Sequence, residues 1–391
     1  MRNLSAVKYE QPGFAPDTRI LGFTVEFHVH STVLRLHSEF FRTFLKHYDQ
    51  QHATAGSSSA ASSFIYEYAL VRDDDGMFGL QPLVKSKPIS EDDDRTNQMK
   101  RQAQDNIRQL LDAFYIKSCD ITYISELEQL VRTADFYGAL PITSRFVESN
   151  LQNCQLGIYI TDDPVLVLCL ARKLEAPVLF GEAFTLVVGS AYDTECRKEI
   201  TGKLRSTDLP YGDNRGNNNA DLIPLIDNYC TRLYRDVADV NFFLLKASRD
   251  HEHVLRSRSA SPPEQLEALV LDAIQQELHP ENGYGDLDEW DATFYRKLYN
   301  APFTPSTRQA LIFGDITQRS GAPVSTLSRL LQAEVAAYVK HKLKHVTKNY
   351  LKFTRPLKLA GGESPLKHFL CVRVSYSDLP WIEDSDDDIV E

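Results

Sequence analysis

Between Phe27 and Phe41 the chain reads F-H-V-H-S-T-V-L-R-L-H-S-E-F-F, and its hydrophobic period changes part-way through. Val25, Phe27 and Val29 alternate with polar residues, so they share one face of a strand. From Val33 onward, Leu34, Phe40, Phe41, Phe44 and Leu45 recur at helical spacing. The pattern predicts a strand that passes directly into two short helices, with Ser38 just ahead of an aromatic pair.

Composition sets outer bounds. A chain of 391 residues has room for two or three domains, and 42% hydrophobic content supports real cores. The net charge of −11 argues against nucleic acid as the main partner, because phosphate binding runs on an excess of Lys and Arg. No apolar segment follows a basic start, and stretches such as Pro164–Leu170 are too short for a bilayer span. Neither secretion nor membrane insertion is expected. The cysteines Cys119, Cys154, Cys169, Cys196, Cys230 and Cys371 form no C-x-x-C pair and sit mostly among apolar neighbours. That pattern reads as reduced thiols in a cytoplasmic or nuclear protein. The sequon at Asn3 is then silent.

The organisation predicted is α+β, becoming helical towards the C-terminus. Residues 1–16 read as an arm and 17–155 as the first domain, with exposed insertions at 50–63 and 85–101. Alternation over Phe64–Val71 and Met77–Val84, around the turn Asp73–Gly76, predicts a hairpin. Two helical hairpins follow, at Leu130–Thr143 and Leu170–Phe180, each with a Pro placed for the first turn of its second helix. Residues 156–250 read as helical with a polar break at 201–220, then 251–263 as a basic Ser/Pro linker and 264–378 as a helical C-terminal region. Leu327, Leu331, Val335, Val339, Leu343, Val346 and Tyr350 mark the longest predicted helix, Ser325 to about Leu351. An acidic tail occupies 379–391.

Motifs for chemistry are sparse. The phosphate-cradling, dinucleotide, nucleophile-elbow and zinc-protease motifs are missing from the sequence, so no catalytic, cofactor-binding or metal-ligating residue is assigned. His28, His30 and His37 could converge on a metal, but His30 reads better as a packed structural histidine. His341 and His345 have bidentate spacing, yet Lys340, Lys342 and Lys344 would repel a cation. His251 and His253 flank the linker without a complementary ligand. From Lys340 to Lys358 seven Lys or Arg occur without an acid, and six carboxylates lie between Glu383 and Glu391. Solvation or pairing between the two runs is favoured over nucleic acid or membrane contact. Ser257, Ser259, Ser261 and Ser385 are candidate phosphorylation sites in segments that also read as simple linkers.

The Phe27–Phe41 stretch resembles the BTB/POZ signature F-x-V-H-K-x-V-L-x-x-x-S-x-F-F. The segment I-R-Q-L-L-D-A-F-Y (107–115) is similar to that family's L-L-x-x-x-Y helix, and L-E-Q-L-V-R-T-A-D-F-Y-G-A-L (127–140) to L-x-x-L-x-x-x-A-D-x-Y-x-x-x-x-L. The style of F-Y-G-A-L-P followed by L-A-R-K-L-E-A-P-V-L-F-G-E-A is similar to BTB proteins of filamentous fungi, and the resemblance ends near residue 190. It implies a helix cluster flanked by a small sheet, with a BACK-like helical region after it. It further implies a non-enzymatic adaptor with protein partners, a cullin-based ubiquitin ligase among them, and the helical half selecting a client. A self-associating scaffold or regulator without a ubiquitin connection is the alternative. The implied partner surface falls on Phe114, Tyr115, Ile121, Tyr123 and Ile124, which could equally pack the domain. Dimeric members pair an acid, matched here by Asp17, with a base that follows the signature histidine. Position 31 is Ser instead. The expectation is an exposed Asp17 without a counter-charge, and a homodimer no longer supported by that pair.

Overall fold

The computed structural model describes residues 5–46, 64–72, 78–83, 94–117, 121, 123–151, 160–206, 219–247, 249, 251–257, 260–278, 291–319, 321–352 and 368–382. The insertion at 50–63, the Asp73–Gly76 turn, residues 85–93, the acidic run from Glu383, Cys119, Cys154, Ser259 and Ser385 lie outside them. The chain divides into two compact units, Met1–Asp163 with Val167–Phe180, and Pro164–Leu166 with Gly181–Glu391.

The first unit is α+β. Its strands are β1 (Ser5–Lys8), β2 (Thr18–Leu21), β3 (Val25–Val29), β4 (Tyr66–Arg72) and β5 (Phe78–Pro82), in sheet order β1-β3-β2-β4-β5. β2 and β3 are antiparallel, with Ile20 opposite Phe27; β4 joins β2 in parallel, with Tyr68 opposite Ile20. Ile20, Phe27, Tyr68 and Val29 are buried, as the alternation requires. Residues 5–16, expected as part of an N-terminal arm spanning 1–16, belong to the sheet and the core beside it. β1 pairs in parallel with β3, and Tyr9, which follows it, is fully buried.

The helices of this unit follow the predicted period change. α1 (Ser31–His37) ends at Ser38, and residues 39–46 form α2. Leu34, Phe41 and Leu45 point into the core, whereas Phe44 does not. α3 (Asp94–Phe114) begins inside what reads as a charged insertion. Its first turns carry mostly polar residues, so the apolar face becomes visible only from Ile107, Leu110, Leu111 and Phe114. α4 (Ile124–Phe136) and α5 (Leu140–Asn150) form the first hairpin, around Gly138 at φ +57°. The division between the units runs through the second pair: α6 (Pro164–Leu174) belongs to the first unit from Val167 on and α7 (Pro177–Ser190) only as far as Phe180, the two joined through Glu175 at φ +53° with Pro177 the first residue of α7.

The second unit is helical throughout its described elements. α8 (Thr194–Arg205) is capped by Asp193, which accepts from the N–H groups of Glu195 and Cys196. α9 (Leu222–Ala247) has 26 residues and exceeds α14 (Val324–Thr347), which has 24 and was expected to be longest. α14 buries Leu327, Leu331, Val335, Val339, Leu343 and Val346; Tyr350 falls beyond its end. The predicted linker contains α10 (Glu252–Arg256), and α11 (Pro262–Glu277) starts within it. α12 (Ala292–Tyr299) and α13 (Thr307–Ile316) pack against α14. Leu379, placed in the acidic tail by composition, is buried.

Candidate functional site

The strand-to-helix junction at His30 is held by a chain of polar contacts. His30 is only 2% exposed. The Phe14 carbonyl, 3.2 Å from Nε2, can only accept, so Nε2 carries the ring proton. Nδ1 then accepts from the Tyr115 hydroxyl at 2.9 Å, and that hydroxyl accepts from the His30 backbone N–H at 2.8 Å. Burial pushes the Tyr115 phenol up to about 12 against the opposing effect of the His30 N–H, which keeps it a donor. Tyr9 packs on Tyr115 with ring centroids 4.7 Å apart and donates to Asp112 at 2.9 Å. Tyr115→Phe would strand two polar groups of His30, and we expect a loss of about 1–3 kcal/mol in chemical unfolding. An unchanged midpoint would contradict this role.

Asp17 and Ser31 behave differently from the sequence expectation. Asp17 is half-buried, and its carboxylate accepts from the Ser31 backbone N–H at 2.7 Å and from the Ser31 hydroxyl at 2.6 Å. Ser31 is the first residue of α1, so Asp17 caps that helix from the strand side, where a negative charge is favoured. Position 31 carries no base, and the Asp17 carboxylate is held by hydrogen bonds to Ser31 rather than by a counter-charge. Ser31→Ala removes one of these bonds and is expected to cost ~1–2 kcal/mol, read as a lower thermal midpoint.

A row of aromatic rings leads from the core to the surface. Ser38 is fully buried; its hydroxyl donates to the Tyr137 carbonyl at 2.6 Å and accepts from the Phe41 N–H at 3.2 Å. This bond fixes α2 against the α4–α5 turn. Phe41 then stacks on Tyr137 inside, while Phe40 contacts Tyr137 edge-on and stacks on Phe44 at 4.1 Å. Phe136 lies 6.3 Å from Phe40. Phe44 is 43% exposed and Phe136 66%, so the row ends in two solvent-facing rings. Leu36 on α1 is exposed as well.

The five residues implied by family resemblance separate. Phe114 and Ile121 are each 2% exposed and belong to the interior, so neither side chain can anchor a partner. Tyr115 serves the His30 junction. Tyr123 is exposed and Ile124 half-buried, at the start of α4. Phe136 sits at the other end of that 13-residue helix, roughly 20 Å away at 1.5 Å per residue. Sequence reading missed Phe136 and grouped Phe44 with Phe41 and Leu45 at helical spacing. The available signal was the adjacent pairs Phe40–Phe41 and Phe136–Tyr137: neighbours on a helix lie about 100° apart, so both cannot face the core.

The remaining candidates are accounted for by local contacts. His28 Nε2 lies 2.8 Å from Glu26, and the buried His251 donates to the Lys246 carbonyl at 3.1 Å. Burial and nearby Arg145 lower the His37 pKa. His341 and His345 are exposed on α14. Among the described residues, no group of three or more His, Cys, Asp or Glu is placed to hold a metal ion. Ser261 is exposed and forms a capping box with Glu264, its N–H and hydroxyl donating to the Glu264 carboxylate at 2.7 and 2.8 Å. Burial raises the Cys230 and Cys371 thiols to about 11 and about 12, which keeps both neutral.

No family model, curated protein or solved structure matches this chain. Among the described residues no helix is long and apolar enough to cross a membrane.

Proposed function

We propose that this protein is a non-enzymatic adaptor of BTB/POZ type, whose first unit docks a common protein partner while the helical second unit selects a client. The observation that carries the reading is the aromatic row ending at Phe44 and Phe136. Large aromatic side chains held rigid by their neighbours, yet open to solvent, are the usual anchors of protein interfaces. The Phe27–Phe41 resemblance supports a cullin-based ubiquitin ligase as the common partner. Tyr123 and Ile124 offer a second contact region at the other end of α4.

The alternative is a self-associating scaffold or transcriptional regulator. Leu36 favours it, because α1 presents an exposed apolar side chain there. Affinity purification of the full chain with a neddylation inhibitor present separates the two. The adaptor reading expects a cullin and ubiquitin machinery among the captured proteins. Recovery of the chain with only further copies of itself would favour the scaffold.

A further inference from the structure

The second unit contains a basic cavity with an apolar neighbour. α9, the end of α14, Tyr350 and residues 371–373 enclose about 390 Å³, and the rim carries Arg232, Lys344, Lys348 and Arg373. All four are exposed, and none forms an ion pair within the described residues. Among the described residues Asp236 is the one carboxylate on the wall. The cations are positioned by the walls. Arg232 lies over the Tyr229 ring at 4.9 Å, and Lys348 over the Tyr350 ring at 4.3 Å. Tyr229 is itself fixed, donating to Asp378 at 2.6 Å and accepting from the Ser375 N–H at 3.0 Å. The floor is neutral: Leu233 and Val372 are buried, and the Cys371 thiol stays protonated.

Across Asp236 and His345, which belong to both walls, lies a second cavity of about 370 Å³. Val240, Phe242, Phe243 and Tyr338 give it an apolar surface, and Phe242 is 72% exposed. Its charged members include Asp239 and Glu267, the latter bonded to Lys246 at 2.6 Å.

We propose that the basic cavity receives the phosphate of a phosphorylated serine or threonine in a partner protein, and that the adjoining cavity takes a neighbouring apolar side chain of the same peptide. A phosphate monoester brings close to two negative charges and three acceptor oxygens to one point. Two guanidinium groups and two ammonium groups around a small cavity match that point charge, with the arginines able to bind it bidentately. A polyanion fits less well. RNA or an anionic membrane would extend past the basic cavity onto a wall where Asp236, Asp239 and Glu267 offset Lys246 and Lys342, which gives a longer polyanion no continuous positive track, against a chain charge of −11. This inference rests on the reading of the second unit as the client-selecting part.

The test uses the purified full chain and an immobilised peptide library with a fixed central phosphoserine, beside the same library unphosphorylated. Single-stranded RNA and phosphatidylserine vesicles serve as further probes. Selective retention of phosphorylated peptides, with apolar residues enriched near the phosphoserine, is expected. Arg232→Ala with Arg373→Ala should weaken the selected peptide at least about tenfold while leaving the thermal midpoint unchanged. Phe242→Ala should relax the apolar preference. Equal retention of both libraries, preference for RNA or vesicles, or full binding by the double arginine variant would overturn the proposal. The wild-type chain is also tested for cullin capture. Capture without phosphopeptide binding removes only this inference, and phosphopeptide binding without capture removes only the cullin reading.

Discussion

Gly189→Ala is expected to destabilise the second unit by about 3 kcal/mol, against the usual gain of alanine over glycine in a helix. Gly189 is near the end of α7, and a Cβ built there would lie 1.9 Å from the carbonyl oxygen of Phe369. That oxygen belongs to a segment tied down on both sides. Phe369 and Leu370 are buried, the Tyr350 N–H donates to the Leu370 carbonyl at 2.9 Å, and Thr185 donates to the Val372 carbonyl at 2.9 Å. Backbone cannot yield by an ångström without breaking these bonds, so the segment must lift away. For a unit of this size the thermal midpoint should fall by roughly 6–12 °C. Gly202 is the control. It is exposed in α8 and a Cβ there meets nothing within 4 Å, so Gly202→Ala should stabilise by ~0.5–1 kcal/mol. Equal midpoints for the two variants would show that the 368–373 segment does not lie against α7. Because residues 371–373 wall the basic cavity, Gly189→Ala should also weaken phosphopeptide retention.

Phe44→Asp combined with Phe136→Asp should reduce partner binding about thirtyfold, corresponding to ~2 kcal/mol of lost anchor energy. Both rings are exposed, so the substitutions remove contact surface without opening the core beneath Phe41 and Tyr137. Far-ultraviolet circular dichroism and the thermal midpoint should therefore stay at wild-type values. Phe41→Ala gives the opposite signature. It empties a site that is 1% exposed and should cost ~3–5 kcal/mol in stability. Wild-type affinity in the double aspartate variant would move the docking surface elsewhere, with the Tyr123 end of α4 the next place to test.

Features governed by local periodicity were legible in the sequence. The change of period after Val29 marks where β3 gives way to α1, and the α14 stripe from Leu327 to Val346 is buried at every position. The hairpin turns were legible too, because Gly138 and Pro177 have local conformational reasons for their places. What escaped depends on partners distant in the chain. β1 looked like an arm because its pairing with β3 has no local signature. The charged start of α3 carried no apolar stripe to mark it. Asp17 looked unpaired because a search for a counter-charge overlooks a serine hydroxyl and a helix N–H acting together. The basic cavity draws on α9, α14 and the C-terminal segment, which no sequence spacing relates.

Sedimentation velocity of the purified full chain with a purified cullin tests the adaptor reading most directly. A 1:1 complex should form at a concentration of about 1 μM and fail to form with the Phe44→Asp, Phe136→Asp variant. Independent sedimentation of the two wild-type proteins at ~50 μM, with the chain either alone or self-associated, would contradict the reading as a cullin adaptor.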